Sequence, residues 1–568
     1  MAVQRFKVPL NNAAFPFVSS EAPRAVFVPG LDVASRAPRG FVSGEESADY
    51  NLTQILYGEN FMPVGNGVRS VGFRQIIAPT VNNDFDSIFP LRDEDENVVL
   101  YSPGAGKNYV YDTALSAWSS TTIPTIYAKT FAAGSNPANS RVTYAYVDGY
   151  TFVCFSRLKS NDMVPVDMSL LYWNSTTQSL AVPSTLISNI PFPAGEIDGI
   201  AGSNGYLIMW SGITIAWAPF SGTSFNFINY ANGAFTGAGS QIPEDVQGTI
   251  RALIPVAGGF VAFTNRNAIG CSYVANNLQA PWIFREIPDA GGLESYEQAT
   301  VEGSLGKIYA YTTAGMQSAS LNSADLIFPD LADFIASREI ERYNNGNQTL
   351  SQDAVTLDFY VKVTAVGNRY LVVSYGTFPG IYSYALIYDF SVKRWGKIYL
   401  VHRDCFYYNY GAQTADLTYS MLGDVSYDNP LLTTYSATTA QSNAFVSAPH
   451  GLAFLKQTGE VVIADWSKQD RATPDVGVLV LGRVQLTRSR NVQLNRVEIE
   501  GFKNGNVYVV PSYDGRNLAA AQQLTAITVD NSYRDFGAFV DCKNFNIIVQ
   551  GTFDMSTMIL EATPTGQF

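Results

Sequence analysis

The chain reads as all-β: an irregular six- to seven-bladed β-propeller, then a C-terminal β-sandwich, with one short helical insertion. Three features of its 568 residues predict this. Short alternating or apolar runs, broken by Gly, Asn and Asp, recur from about residue 84 onward. Aromatic residues that favour strands are abundant, with 33 Tyr and 34 Phe. A Tyr-Asp…Trp spacing also repeats at points far apart in the chain.

Taken in order, residues 1–83 read as an N-terminal arm and lead-in, 84–473 as the propeller, and 474–568 as the sandwich. "NVVLYSPGAGKNYVYDTALSAW" is two strands and a turn closed by Trp118. "RVTYAYVDGYTFVCFSR" places Asp-Gly between two strand-like runs, the strongest short hairpin signal. "GIAGSNGYLIMWSGITIAWAPF" repeats the pattern with turns at Asn204-Gly205 and Ser211-Gly212. Four further hairpin pairs follow up to "HGLAFLKQTGEVVIADW".

The marker sets the blade count. Tyr111 and Trp118 are separated by six residues beginning with Asp112, and Tyr388 and Trp395 by six beginning with Asp389. A strand ending Tyr-Asp, a polar turn and a Trp suits the edge of a blade. The indole caps the core between blades, and the Asp organises the turn through backbone bonds. Trp173, Trp217, Trp282 and Trp466 fall in comparable places, and successive markers lie about 45 to 70 residues apart, with one long interval that holds two hairpin pairs and a helix, which suits four-stranded blades. The competing all-β arrangement is a set of sandwiches with similar turns. "FPDLADFIASREIERYN" (328–344) instead spaces Leu331, Phe334, Ile335 and Ile340 almost helically, so an insertion is predicted near 321–350. Residues 411–448, poor in charge and rich in Thr, Ser, Tyr and Asn, form a second insertion. After Pro474 about six or seven strands crowd into fewer than a hundred residues, the size of a small sandwich.

Composition narrows the function. Charged residues make up only 15% of the chain, against about 25% in a typical protein, so Ser, Thr, Asn, Gln and Tyr must cover much of the surface. The formal net charge of −13 argues against a general affinity for nucleic-acid phosphate. Cys154, Cys271, Cys405 and Cys542 are too widely spaced for a zinc site or a disulfide framework, and read as buried thiols. No apolar signal-like stretch opens the sequence, and no run reaches the roughly eighteen apolar residues of a membrane span. The expectation is a protein folded in a reducing cytoplasm.

Several motifs tempt and fail. "SPGAGKN" lacks the first glycine, the Ser or Thr and the following helix of a phosphate loop. "HRDCFYYN" (402–409) matches a kinase catalytic loop letter for letter, and "DFG" occurs at Asp535–Gly537, but the two lie in different predicted domains among strands. "AGSNG" around Ser203 resembles a nucleophile elbow, yet His402 and His450 are the sole histidines to serve a relay. Glycosidase chemistry needs only two carboxylates and stays open by counting. The sequence therefore predicts no catalytic residue, no cofactor and no metal site. Two charge clusters remain. "RDEDEN" reads as a solvated turn. Arg483, Arg488, Arg490 and Arg496 form a local positive patch, which suits either a blunted sheet edge or an interface or DNA-facing surface.

The stretch "ENFMPVGNGVRSVGF" (59–73) packs Pro63, Gly65, Gly67 and Gly72 around Arg69. With its Asn60, Pro63, Gly67, Arg69 and Gly72 it resembles the opening pattern of the hub or nozzle proteins of short-tailed bacteriophages. These are also called packaged-DNA stabilisation proteins, or tail tubular protein B. Relatives carry Pro before the last glycine, where this chain has Val71. Further similar stretches follow in the same order: "IDGIAGSNGYLIMWSGITIAWAPFSG", "NRYLVVSYG…ALIYDFSVKRWGKI", "HGLAFLKQTGEVVIAD", "LVLGRVQL…VEIEGF" and "VYVVPSYDGRN".

The resemblance implies a non-enzymatic virion protein of the tail, assembled in the host cytoplasm. It implies a homohexameric ring below a head-to-tail adaptor, with fibre, spike or needle proteins as further partners. The ring would retain packaged double-stranded DNA and pass it through its channel without specific binding, and no membrane span is implied. Asn60, Gly67, Arg69 and Gly72 would shape the lead-in, Arg69 bonding to its carbonyls. Trp118 and Trp395 would close blades. The alternatives are a carbohydrate-binding or depolymerising propeller of a phage tail, and a tail-tip component of a longer-tailed phage.

Overall fold

The structure is a computed structural model. It describes residues 4–9, 26–27, 55–65, 67–79, 87–92, 98–104, 107–112, 117–121, 142–155, 170–174, 176–177, 179–181, 183, 186–192, 196–227, 237–275, 277, 280–302, 306–329, 331, 335, 360–367, 369–376, 380–408, 451–466, 477–481, 484–485, 491–512, 522–529, 533–542 and 544–565.

Among the described residues seven antiparallel blades follow one another. Blade 1 comprises Phe89–Arg92, Val98–Gly104, Lys107–Asp112 and Ala117–Thr121. Blade 2 comprises Val142–Val147, Tyr150–Phe155, Leu170–Asn174 and Ser179–Ala181. Blade 3 is built on Gly199–Ser203, Tyr206–Ser211 and Thr214–Ser221, with Gly239–Gln241 at its edge. Blade 4 comprises Ile250–Val256, Gly259–Thr264, Ala268–Tyr273 and Trp282–Glu286. Blade 5 comprises Ala299–Val301, Ile308–Thr312, Gly315–Ala319 and Ala324–Leu326. Blade 6 comprises Tyr360–Val366, Tyr370–Gly376, Tyr382–Asp389 and Arg394–His402. Among the described residues blade 7 has three strands from its own stretch of chain, Asp404–Tyr407, Leu452–Leu455 and Val461–Asp465. Its fourth is Gly72–Ile77, paired antiparallel with Val461–Asp465.

The circle closes on chemistry as well as pairing. The first strands of blades 2 to 7 pack side by side around the axis. Six of the seven seams have an apolar cluster of their own, and the seam between blades 5 and 6 shares one with the sandwich. Phe89 and Tyr101 of blade 1 meet Val153 and Trp173 of blade 2. The last seam joins Ala453, Leu455 and Ile463 of blade 7 to Leu100, Tyr111 and Trp118 of blade 1. The architecture is a seven-bladed β-propeller. Its hairpins turn where the sequence supplies residues that accept positive φ, such as Asp148-Gly149 (48° and 85°).

The second body is a sandwich of two sheets. One orders Val26–Phe27, Gln4–Pro9, Thr557–Thr565, Asn491–Glu500, Tyr533–Cys542 and Thr525–Val529. The other centres on Asn544–Met555, flanked by Phe502–Ser512 and Gly477–Leu481, with Ile55–Glu59 beyond the latter. Val497, Ile499, Val540 and Leu560 from one sheet meet Val507, Val509, Ile547 and Val549 from the other, the period-two pattern of facing sheets. Segment 1–83 is thus shared out: Gln4–Pro9 and Ile55–Glu59 pair within the sandwich, and Gly72–Ile77 within the propeller.

Of the predicted helical insertion, Leu331 and Ile335 have helical backbone and are buried in the core that reaches blades 5 and 6; 411–448 lies outside the described residues. Cys154, Cys271 and Cys405 are buried free thiols. Among the described residues no helix is long and apolar enough to cross a membrane.

Candidate functional site

The stretch 59–73 folds into a hairpin, Phe61–Val64 with Gly67–Ser70, wedged between propeller and sandwich. On one side Phe61 pairs with Lys397 of blade 6; on the other, Arg69 and Val68 pair with Asp554 and Met555 of the sandwich. Asn60 precedes the hairpin with φ 51° and accepts the Tyr399 amide on its side chain at 3.0 Å. A β-carbon at Gly67 would collide with the Met555 carbonyl, so the close approach of the two sheets requires glycine there. Gly72 opens the strand that completes blade 7, opposite Asp465.

Two arginines grip this hairpin. Arg69, 8% exposed, donates from Nη1 to the Trp466 carbonyl at the end of blade 7 at 2.6 Å. It also meets Asp554 side-on, Nε to Oδ1 and Nη2 to Oδ2, each at 3.0 Å. Its partners are therefore a carbonyl of blade 7 and a carboxylate of the sandwich. Arg394 reaches from blade 6 and donates from Nη2 to the carbonyls of Gly65 and Gly67 at 2.9 and 3.1 Å. Burial lowers its pKa to about 10, against the opposing pull of Asp389. Beside them Lys397 is buried with its ammonium 4.8 Å from the centre of the Tyr384 ring. Burial lowers its pKa to about 8, although Glu59 pulls the other way.

A second polar cluster lies where the first strands of blades 6 and 7 meet. Lys362 Nζ is 2.9 Å from Asp404 Oδ1 and 3.4 Å from Glu297 Oε1. Glu297 also accepts the Tyr382 hydroxyl at 2.7 Å, and Asp404 accepts the Ile88 amide just ahead of blade 1 at 2.9 Å. The cluster thereby ties blades 6 and 7 to the chain entering blades 5 and 1. Burial alone would lower the Lys362 pKa, but Asp404 and then Glu297 more than reverse this and raise it. Nearby, Ser374 Oγ lies 2.8 Å from His402 Nε2, and His402 Nδ1 is 2.6 Å from the Leu400 carbonyl. A carbonyl only accepts, so Nδ1 carries the proton and Nε2 accepts from the serine. Burial, and more weakly Lys362, lowers the His402 pKa to about 4, against the bond to Leu400. Ser374 and His402 are each 1% exposed, so this pair meets no solvent-borne substrate.

The tempting motifs resolve into framework. His402 and Asp404 of "HRDC" belong to the two clusters just described. Phe536 of "DFG" is in the sandwich core. Ser203 of "AGSNG" donates to the Gly259 carbonyl at 2.8 Å, joining blades 3 and 4. "SPGAGKN" spans a hairpin, with Gly104 opposite Lys107. Trp118 sits opposite Tyr111 and donates to the Gly459 carbonyl of blade 7 at 3.0 Å. Trp395 sits opposite Tyr388 and packs edge-on against Phe328, just past blade 5, with centroids 5.0 Å apart. Of the arginine patch, Arg496 lies 3.6 Å from Glu498; Arg483, Arg488 and Arg490 fall outside the described residues. Among the described residues no group of three or more His, Cys, Asp or Glu is placed to hold a metal.

Sequence reasoning did not single out Arg394, Lys362, Glu297 or Asp554. The available signal was a charged residue in an otherwise apolar strand, such as Lys362 in "YVKVTAV".

No protein-family model and no curated protein matches the chain. Solved structures do. YCF48 bound to D1 peptide is 12% identical over 60% of this chain and 86% of its own, with a TM-score of 0.33. The extracellular domain of the putative one component system BT4673 from B. thetaiotaomicron is 10% identical over 78% and 45%, with a TM-score of 0.35. YCF48 from Cyanidioschyzon merolae is 12% identical over 57% and 87%, with a TM-score of 0.31. Likeness at this level says nothing of what the chain does, and the architecture rests on the strand pairing itself.

Proposed function

We propose that the chain is a structural subunit of a short-tailed phage tail: a hub or nozzle ring that retains packaged DNA and lets it out, with no catalytic role. The observation that carries this reading is the ordered run of stretches resembling that family. In this molecule they form the hairpin at 61–70, blades 3, 6 and 7, and the sandwich. Low charge and many aromatic residues suit a chain with extensive interfaces. A ring needs a heterologous contact, one patch of each copy meeting a different patch of the next. The bore should not neutralise phosphate, since each contact must later be broken. The propeller's own axis is a poor candidate for that bore: among the described residues its innermost strands carry Arg251 and the ion-paired Lys362 against Asp404. Negative-stain imaging of the purified protein, alone and with portal–adaptor complexes, tests the reading. Sixfold rings capping the adaptor are expected. A lone monomer, or a ring with a strongly basic bore, would overturn it.

One observation favours a second reading, a carbohydrate-binding propeller. Tyr144 and Tyr146, two apart on the first strand of blade 2, are 47% and 40% exposed. Exposed tyrosines of this kind offer an apolar surface with a polar edge, with one face of Tyr144 stacked on Phe89 at 4.9 Å. Binding on a glycan array that is lost in Tyr144→Ala would favour it over the ring.

A further inference from the structure

We propose that the sandwich latches the propeller shut, so that loosening the sandwich releases the ring-closing strand of blade 7 before any other blade opens. The latch is independent of whether the chain assembles into a ring. It follows from how one short run of chain is shared. Gly67–Ser70 belongs to the seam with the sandwich, Gly72–Ile77 is the outer strand of blade 7, and Val71 alone lies between. Val71 is buried in the core between blades 6 and 7, and its amide donates to the Asn60 carbonyl at 2.7 Å. No slack separates the two strands, so displacing the first pulls directly on the second.

The backbone part of the seam is short among the described residues, with Arg69 and Val68 opposite Asp554 and Met555. Side chains supply the rest. Ser70 Oγ donates to the Phe553 carbonyl at 3.3 Å and accepts the Phe553 amide at 3.1 Å. Arg69 holds Asp554 of the sandwich with one edge of its guanidinium and the Trp466 carbonyl of blade 7 with Nη1. One side chain therefore reports the sandwich's position to both strands at the closing seam. Asp554 is 31% exposed, so water can replace it as the seam opens.

Hydrogen–deuterium exchange on the full chain tests this. In Asp554→Asn, amides of Gly72–Ile77 and Val461–Asp465 should exchange on the order of tenfold faster, while those of Gly259–Thr264 in blade 4 keep their rates. Ser203→Ala, which deletes the bond from blade 3 to the Gly259 carbonyl and touches neither side of the seam, should leave blade 7 unchanged. Should Asp554→Asn fail to fold, the unaltered protein in rising sub-denaturing urea serves instead. There Gly67–Ser70 and Gly72–Ile77 should share one opening transition below that of blade 4. Faster exchange confined to the sandwich, equal acceleration in blade 4, or separate openings for the two strands would each overturn the latch.

Discussion

Two parts of the propeller are held together by different means. Between blades 3 and 4 the seam is aromatic. Trp282 packs edge-on to Phe260 and Tyr206 with centroids 4.9 and 5.5 Å apart, and Trp210 and Trp217 lie in the same cluster. Where blades 5, 6, 7 and 1 converge, an ionic cluster joins the apolar ones, with Lys362 between Asp404 and Glu297 and His402 buried alongside. The aromatic seam gains from area removed from water, a term indifferent to pH. The ionic cluster stands only while every member is matched, because removing one partner strands a charge in a poor solvent. One therefore yields to truncation and the other to protons.

Four measurements would break or sharpen this contrast. Trp282→Ala should lower unfolding free energy by about 3–5 kcal/mol in denaturant titrations at any pH from 5 to 8. A strongly pH-dependent loss would show that the aromatic seam is not the neutral one. Next is acid. The folded His402 pKa of about 4 lies below its unfolded value, so its contribution is complete above about 6.5 and falls away as pH drops toward 4. The loss should reach about 3 kcal/mol over that window and be missing from His402→Gln, so that it appears in the difference between wild type and variant. Lys397→Met comes third. The lysine's charge is disfavoured in the folded state, so an apolar side chain of similar length should raise stability at pH 7 by about 1–2 kcal/mol and lose that advantage above pH 10. The smallest effect is Ser203→Ala, which deletes the bond from blade 3 to the Gly259 carbonyl and should cost about 1 kcal/mol.

What was legible in the sequence was local. Asp148-Gly149 and Asn204-Gly205 announce their turns because few residues accept positive φ. The Tyr-Asp…Trp marker works because tyrosine and tryptophan stand directly opposite each other on adjacent strands, while Asp389 accepts the Ser391 amide and hydroxyl in the turn between. Pairing between distant segments leaves no such trace. Nothing in "GFRQII" specifies "VVIAD" as its neighbour, and nothing in "QRFKVP" points to residues 557–565. The polar clusters were hidden for the same reason. Lys362 lies in blade 6 and Glu297 just ahead of blade 5, and Asp404 drew notice only through a chance likeness to a kinase loop. Arg69 stood out among its glycines, but its carboxylate partner 485 positions away could not be read from either end.

The closure of blade 7 also sets an order of events during synthesis. Residues 72–77 leave the ribosome about four hundred residues ahead of their partners at 461–465. At roughly 5–20 residues per second, that strand waits on the order of tens of seconds with its hydrogen-bonding edges unsatisfied. Through that interval blades 1 to 6 can stack as an open arc. A nascent chain of this kind is a natural client for chaperones that shield unpaired strands.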